Sequence, residues 1–215
     1  GDWSSDVCSS DLIGLCKARS SKYDDALTYF YICERYSIMY NDTKTQQLVL
    51  YDMALCFKKI NKIDLALESI EKYLLSSSKE DDMYIYANIL KANCYEAIKN
   101  YDVVIDIYSS LLTQLPKPKD PLLGYIYNNL GLVYLDKANF KISLKYFEMA
   151  QKIRNTIDSP NLCYTLIEKS ELYFRQQLYT KAIKTIESGL KDAEFYKDYE
   201  YLLKGNYKQI GRAHV

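Results

Sequence analysis

Histidine and tryptophan occur once each, as His214 and Trp3, and the 215 residues hold only 7 glycines and 4 prolines. Without histidine the commonest general base and metal ligand is missing. With glycine so scarce, no Gly-rich loop is available to cradle a phosphate. The 6 cysteines include no C-x-x-C or similar close pair, so the spacing of a metal site is lacking. No apolar run approaches the ~18 residues that a membrane-spanning helix requires. Lys+Arg (28) balances Asp+Glu (28), and a net charge of zero argues against a protein that coats nucleic acid or an acidic membrane. What is abundant is apolar and aromatic side chain, at 48% and 14%. That excludes disorder and can fill a core with no disulfide or metal staple. The 23 tyrosines read as the codon bias of an AT-rich genome rather than as so many functional groups.

Both ends look foreign. Residues 1–12 show no helical or strand period and resemble the translation of a short-read sequencing adapter; Ile210-Gly-Arg-Ala-His-Val215 resembles the other adapter end. The expected organisation is a helical repeat domain over 13–209, flanked by non-native segments at 1–12 and 210–215, which stand outside fold reasoning. Trp3 and His214 both fall in those segments. The chain start lacks the basic and apolar regions of a secretory signal.

The interior repeats. A small residue recurs at Gly14, Ala54, Ala92, Gly131 and Ser170, at spacings of 40, 38, 39 and 39. Three residues later stand Lys17, Phe57, Tyr95, Tyr134 and Tyr173; six beyond those stand Tyr23, Ile63, Tyr101, Phe140 and Tyr179. Then come Ala26, Ala66, Val104, Ser143 and Ala182, followed after four more by Phe30, Ile70, Tyr108, Phe147 and Ile186. Spacings of three and four place these positions on one helical stripe, so each copy reads as a helix pair. The small residue lets the two backbones approach where the helices cross. Turn chemistry separates the stripes, and all four prolines fall between copies, where they do not break a helix. Helices are predicted near 22–40, 43–59, 63–77, 83–98, 101–115, 121–136, 140–155, 160–176, 179–195 and 199–209. The fold class is all-α, an α-solenoid of about five antiparallel helix pairs.

The copy from Tyr127 to Ala150 (Tyr127, Leu130-Gly131, Tyr134, Phe140, Ser143, Phe147, Ala150) resembles a tetratricopeptide repeat (TPR), with Tyr127 for Trp, Ser143 for Ala and Asn155 where Pro is usual. The period exceeds the usual ~34 residues and implies longer helices. Long, degenerate repeats of this kind are similar to the sensor domains of Gram-positive peptide-pheromone receptors. That resemblance implies a peptide-binding sensor, often preceded by a helix-turn-helix DNA-binding domain. Some such relatives are phosphatases that use a Gln in an N-terminal bundle; Gln46-Gln47 lies within the repeats, and the role is not carried over.

Cys16, Cys56 and Cys94 occupy one register position, matched by Val133 and Leu172, so all three are expected as buried structural thiols. Cys33 matches Ala150 in the same way, and free thiols fit a reducing cytoplasm. The acidic neighbours Asp24-Asp25, Glu80-Asp81-Asp82 and Asp198 with Glu200 fall at helix starts or in loops, where they cap or stay solvated. No catalytic residue, metal site or cofactor is expected, and the chain is not expected to be an enzyme.

The first helix of each pair would line the concave wall. Counted from the small residue, the inward positions lie three and two before it and one, four and five after it. In the second copy these are Tyr51, Asp52, Leu55, Lys58 and Lys59. Across the later copies, with a Tyr ladder six positions before the small residue, the candidate peptide-binding residues are Tyr86, Asn93, Tyr125, Asn128, Asn129, Leu132, Tyr164, Glu168, Glu171 and Arg175. An Asn amide matches a peptide unit's N–H and C=O, a Tyr ring offers apolar area with a polar tip, and Glu168 and Glu171 can meet a basic group. The expected partner is a short peptide or protein segment, with no nucleic acid or membrane contact by this chain and with room for a homodimer. The function expected is the sensor part of a peptide-responsive transcriptional regulator; the alternative is a TPR interaction scaffold with no signalling role.

Overall fold

The computed structural model describes residues 3–115 and 120–197. Among these the chain is all α-helical: α1 (Trp3–Arg19), α2 (Tyr23–Met39), α3 (Thr43–Lys59), α4 (Ile63–Ser76), α5 (Asp82–Ala97), α6 (Tyr101–Gln114), α7 (Pro121–Asp136), α8 (Phe140–Thr156), α9 (Leu162–Arg175) and α10 (Tyr179–Phe195). The nine helices expected between 22 and 195 are present, each within two residues of its predicted ends. The tenth, over 199–209, lies outside the described residues, as do Pro116 and Pro118.

The start of the chain is helical. Residues 1–12 read as aperiodic, yet α1 begins at Trp3 and runs without a break into the turn that holds Gly14. No glycine or proline interrupts residues 3–13, and a helix propagates cheaply once its later turns are held by packing.

The repeat register predicts the core position by position. The small residues Ala54, Ala92 and Ser170 are fully buried, and so is the sixteenth residue after each small one: Phe30, Ile70, Tyr108, Phe147 and Ile186 all have 0% exposure. The reason is direct at the two glycines. A Cβ on Gly14 would lie 2.7 Å from the Phe30 ring, and one on Gly131 would lie 2.8 Å from the Phe147 ring. The aromatic thus fills the space a missing side chain leaves at the crossing. Ser143, where Ala is usual, donates its hydroxyl to the Gly131 carbonyl at 2.7 Å and tightens the same hairpin.

Each hairpin turns in the same way. Ser21, Asn61, Lys99, Ala138 and Gln177 adopt positive φ of 56–61°, in step with the small residues. The helix end is closed by paired backbone bonds, such as Asn139 N–H to Tyr134 O at 2.8 Å and Ala138 N–H to Leu135 O at 3.0 Å. This is the left-handed helix stop usually made by glycine, here made without it. Helix starts are regular too. Asp42, Asp81 and Asp120 cap α3, α5 and α7 by accepting the backbone N–H of Thr45, Met83 and Leu122. In the fifth copy Asn161 stands at the start of α9 without a side-chain cap bond.

The chain forms two compact units divided between Ile107 and Tyr108, inside α6. In the first unit α1 packs on α2, α2 on α3, α3 on α4 and α4 on α5, and the first helices α1 and α3, and α3 and α5, also touch. In the second, α7 packs on α8, α8 on α9 and α9 on α10, with α7 against α9. First helices of successive copies are therefore neighbours within each unit.

Candidate functional site

The candidate residues divide between the units: Tyr86 and Asn93 belong to the first and the other eight to the second. Tyr86 is exposed, and Asn93, Tyr125, Leu132, Tyr164 and Glu171 are half-buried. Asn128, Asn129 and Glu168 are buried, Asn128 completely. Three of the ten thus lie beneath the surface. In the third to fifth copies the positions one after the small residue (Asn93, Leu132, Glu171) are half-buried, whereas those three and two before it (Ile89, Leu90, Asn128, Asn129, Ile167, Glu168) are buried. Ile89 and Ile167, the counterparts of Asn128, are buried apolar residues in the neighbouring copies. Asn129 donates to the Tyr108 hydroxyl at 3.2 Å. Both amide atoms of Asn128 are buried without a partner.

In the second unit a charged group joins α7 to α9. Arg175 donates to Glu171 at 3.1 Å and to Asp136 at 3.4 Å, and its guanidinium also reaches the Leu135 carbonyl at 3.5 Å. Glu171, Arg175 and Asp136 occupy predicted inward positions of adjacent copies, so those positions do converge on one face. Two buried cations there went unforeseen. Arg154 is 4% exposed; it donates to Thr165 Oγ1 and to the Asn161 carbonyl and lies 5.7 Å over the Tyr164 ring. Lys169 donates to Gln151 Oε1 at 3.1 Å, and burial holds its ammonium below the usual lysine range. Neither has a periodic signal, because a cation is buried only where a neighbour's oxygen happens to meet it.

The first unit holds a cavity of about 270 Å³ between α1, α2 and α3. It is lined by Leu15, Ala18 and Arg19 from α1, Tyr23 and Phe30 from α2, and Asp52, Leu55, Cys56 and Lys59 from α3. Counted from Gly14 and Ala54, six of these stand at the inward positions of two successive copies: Leu15, Ala18, Arg19, Asp52, Leu55 and Lys59. The wall is mainly apolar. Burial, reinforced by the nearby Asp11 carboxylate, pushes the Asp52 carboxyl up to about 6. No hydrogen bond or ion pair holds its side chain among the described residues.

The cysteine expectation needs one correction. Cys56 and Cys94 are buried, and burial pushes the Cys56 thiol up to about 11. Cys16, at the same register position, is exposed beside Leu12, Ile13, Lys17, Ser20 and Lys22. The described residues contain no group of three or more His, Cys, Asp or Glu that could hold a metal ion. No described helix is long and apolar enough to cross a membrane.

No family model matches the chain. The transcriptional activator NprA of Geobacillus stearothermophilus is 25% identical over 201 residues, which cover 89% of this chain and 49% of NprA. The chain therefore spans about half the length of that curated relative. Among solved structures, aspartyl phosphate phosphatase F from Bacillus subtilis superposes with a TM-score of 0.84 at 15% identity, over 94% of this chain and 54% of that one. The Rap conjugation gene regulator of the plasmid pLS20, solved in complex with the Phr* peptide, superposes with a TM-score of 0.71 at 20% identity, over 92% of this chain and 56% of that one. The fold is that of TPR-like helical repeats.

Proposed function

We propose that this chain is a peptide-binding TPR-like domain, the sensor part of a regulator of transcription. The observation that carries the reading is the cavity of the first unit, walled by Leu15, Ala18, Leu55 and Phe30 and edged by Arg19, Asp52 and Lys59. An apolar pocket with a few convergent charged groups is what a small ligand site requires, and most of this one's lining comes from the first helices α1 and α3, which supply the usual binding face of stacked helix pairs. Two further likenesses support the reading: a structure of the same fold holds a peptide, and NprA is a transcriptional activator.

The exposed and half-buried members of the candidate set are ligand contacts in this reading, Tyr86 and Asn93 within the first unit and Tyr125, Leu132, Tyr164, Glu171 and Arg175 within the second. Asn128, Asn129 and Glu168 form the wall behind them. The role is binding rather than catalysis, and bound peptide shifts the domain towards the form it fits best, which the rest of the regulator reads out. Calorimetric titration of the chain with short synthetic peptides tests the proposal. Saturable heat for a subset of them is expected; no heat with any of them overturns it.

A further inference from the structure

The two kinds of charge in the first unit's cavity are set apart along the helices. Asp52 lies two residues before Ala54, whereas Lys59 lies five after it. Arg19 holds the same late position in the copy before. Seven residues of helix put Asp52 about 10 Å from the level of the two cations. Leu15, Ala18, Phe30 and Leu55 supply the apolar part of the same wall. That distance fits an extended lysine or arginine residue, measured from α-carboxylate to side-chain cation, with a hydrogen bond at each end.

Resting on the peptide-binding reading, we propose that this cavity takes the C-terminal residue of a peptide when that residue is lysine or arginine. The side-chain cation meets Asp52, the aliphatic stem lies between Leu15 and Leu55, and the terminal carboxylate meets Arg19 and Lys59. Charge complementarity selects this occupant. A lone apolar side chain leaves Asp52 desolvated and unpaired. An internal lysine leaves the two cations without an anion, and a terminal carboxylate on an apolar residue leaves Asp52 unanswered. Only a basic C-terminal residue supplies both charges and the apolar stem between them. Tyr23, Cys56 and the Asp11 carboxylate are the other titratable groups near the site.

The test uses three probes on the whole chain: acetyl-Gly-Leu-Lys with a free carboxylate, the same peptide as its amide, and acetyl-Gly-Leu-Leu with a free carboxylate. The first is expected to bind at least about tenfold more tightly than either of the others. Asp52→Asn is expected to abolish the preference for Lys over Leu. Arg19→Gln with Lys59→Gln is expected to abolish the preference for the acid over the amide. Equal affinity for the three probes, no binding of any of them, or an Asp52→Asn chain that keeps the lysine preference overturns the inference. Should a variant fail to fold, the probe comparison on the unaltered chain decides alone. If other short peptides bind and these three show no preference, the site assignment falls while peptide binding stands; if no peptide binds, both fall.

Discussion

The ring of Phe147 lies where a side chain on Gly131 would be, 2.8 Å from the Cβ that glycine lacks. Phe30 stands in the same relation to Gly14, at 2.7 Å, so the first and fourth copies use one lock.

Gly131→Leu therefore forces the α7–α8 hairpin apart. The expected loss is about 3 kcal/mol, at the upper end of overpacking, and urea unfolding measures it. Gly131→Leu combined with Phe147→Ala should lose less than the sum of the two single losses, because each relieves the other. Additive losses would show that the two residues do not meet.

Ala138 sits at φ 56° in the turn after α7. A residue with a Cβ is held there at a cost of about 1–2 kcal/mol, which glycine avoids while losing more chain entropy. Ala138→Gly should raise stability by about 0.5–1 kcal/mol, seen as a higher thermal midpoint. A lower midpoint would contradict the left-handed turn.

Asn128 buries both amide atoms without a partner, at a position where the third and fifth copies carry Ile89 and Ile167. Asn128→Ile should stabilise the chain by about 1–3 kcal/mol, the range for removing a desolvated, unpaired polar group. Destabilisation would mean that the amide has a partner such as ordered water.

The Asp52 carboxyl is raised from 3.8 to about 6 in the folded chain. The folded state thus binds the proton more readily than the unfolded chain does. The contribution of Asp52 to stability is therefore greatest below about pH 4, falls as pH rises towards about 6, and is level above that. Asp52→Asn removes the penalty and should stabilise the chain at pH 8 by about 1–3 kcal/mol, with no gain at pH 4. Thermal melts at the two pH values check it; an equal effect at both would contradict the raised carboxyl.

Much of this was legible because repetition averages out noise. A small residue opposite a large apolar or aromatic one sixteen positions on has one mechanical meaning, and five copies state it together. Asp81 was readable as a cap because an acid before an apolar run meets free N–H groups. Other features depend on single neighbours. Lys99, Ala138 and Gln177 enter the left-handed region with no side-chain signal for it. Arg154 is buried because the Asn161 carbonyl and Thr165 await its guanidinium. Asn128 reads as a ligand contact by residue type and by its inward register position, and only its complete burial among packed helices places it in the wall. Cys16 is exposed although Cys56 and Cys94 at the same register position are buried.

Where a bound peptide lies is the most direct question to put to the domain. Short peptides carrying a photoreactive phenylalanine, irradiated with the chain and mapped by mass spectrometry, answer it. Cross-links are expected on the first helices, at positions such as Leu15, Leu55, Tyr125, Leu132 and Tyr164. Cross-links confined to outward residues of the second helices, such as Tyr31, Ile38, Leu65 or Ile183, would contradict the peptide-binding reading.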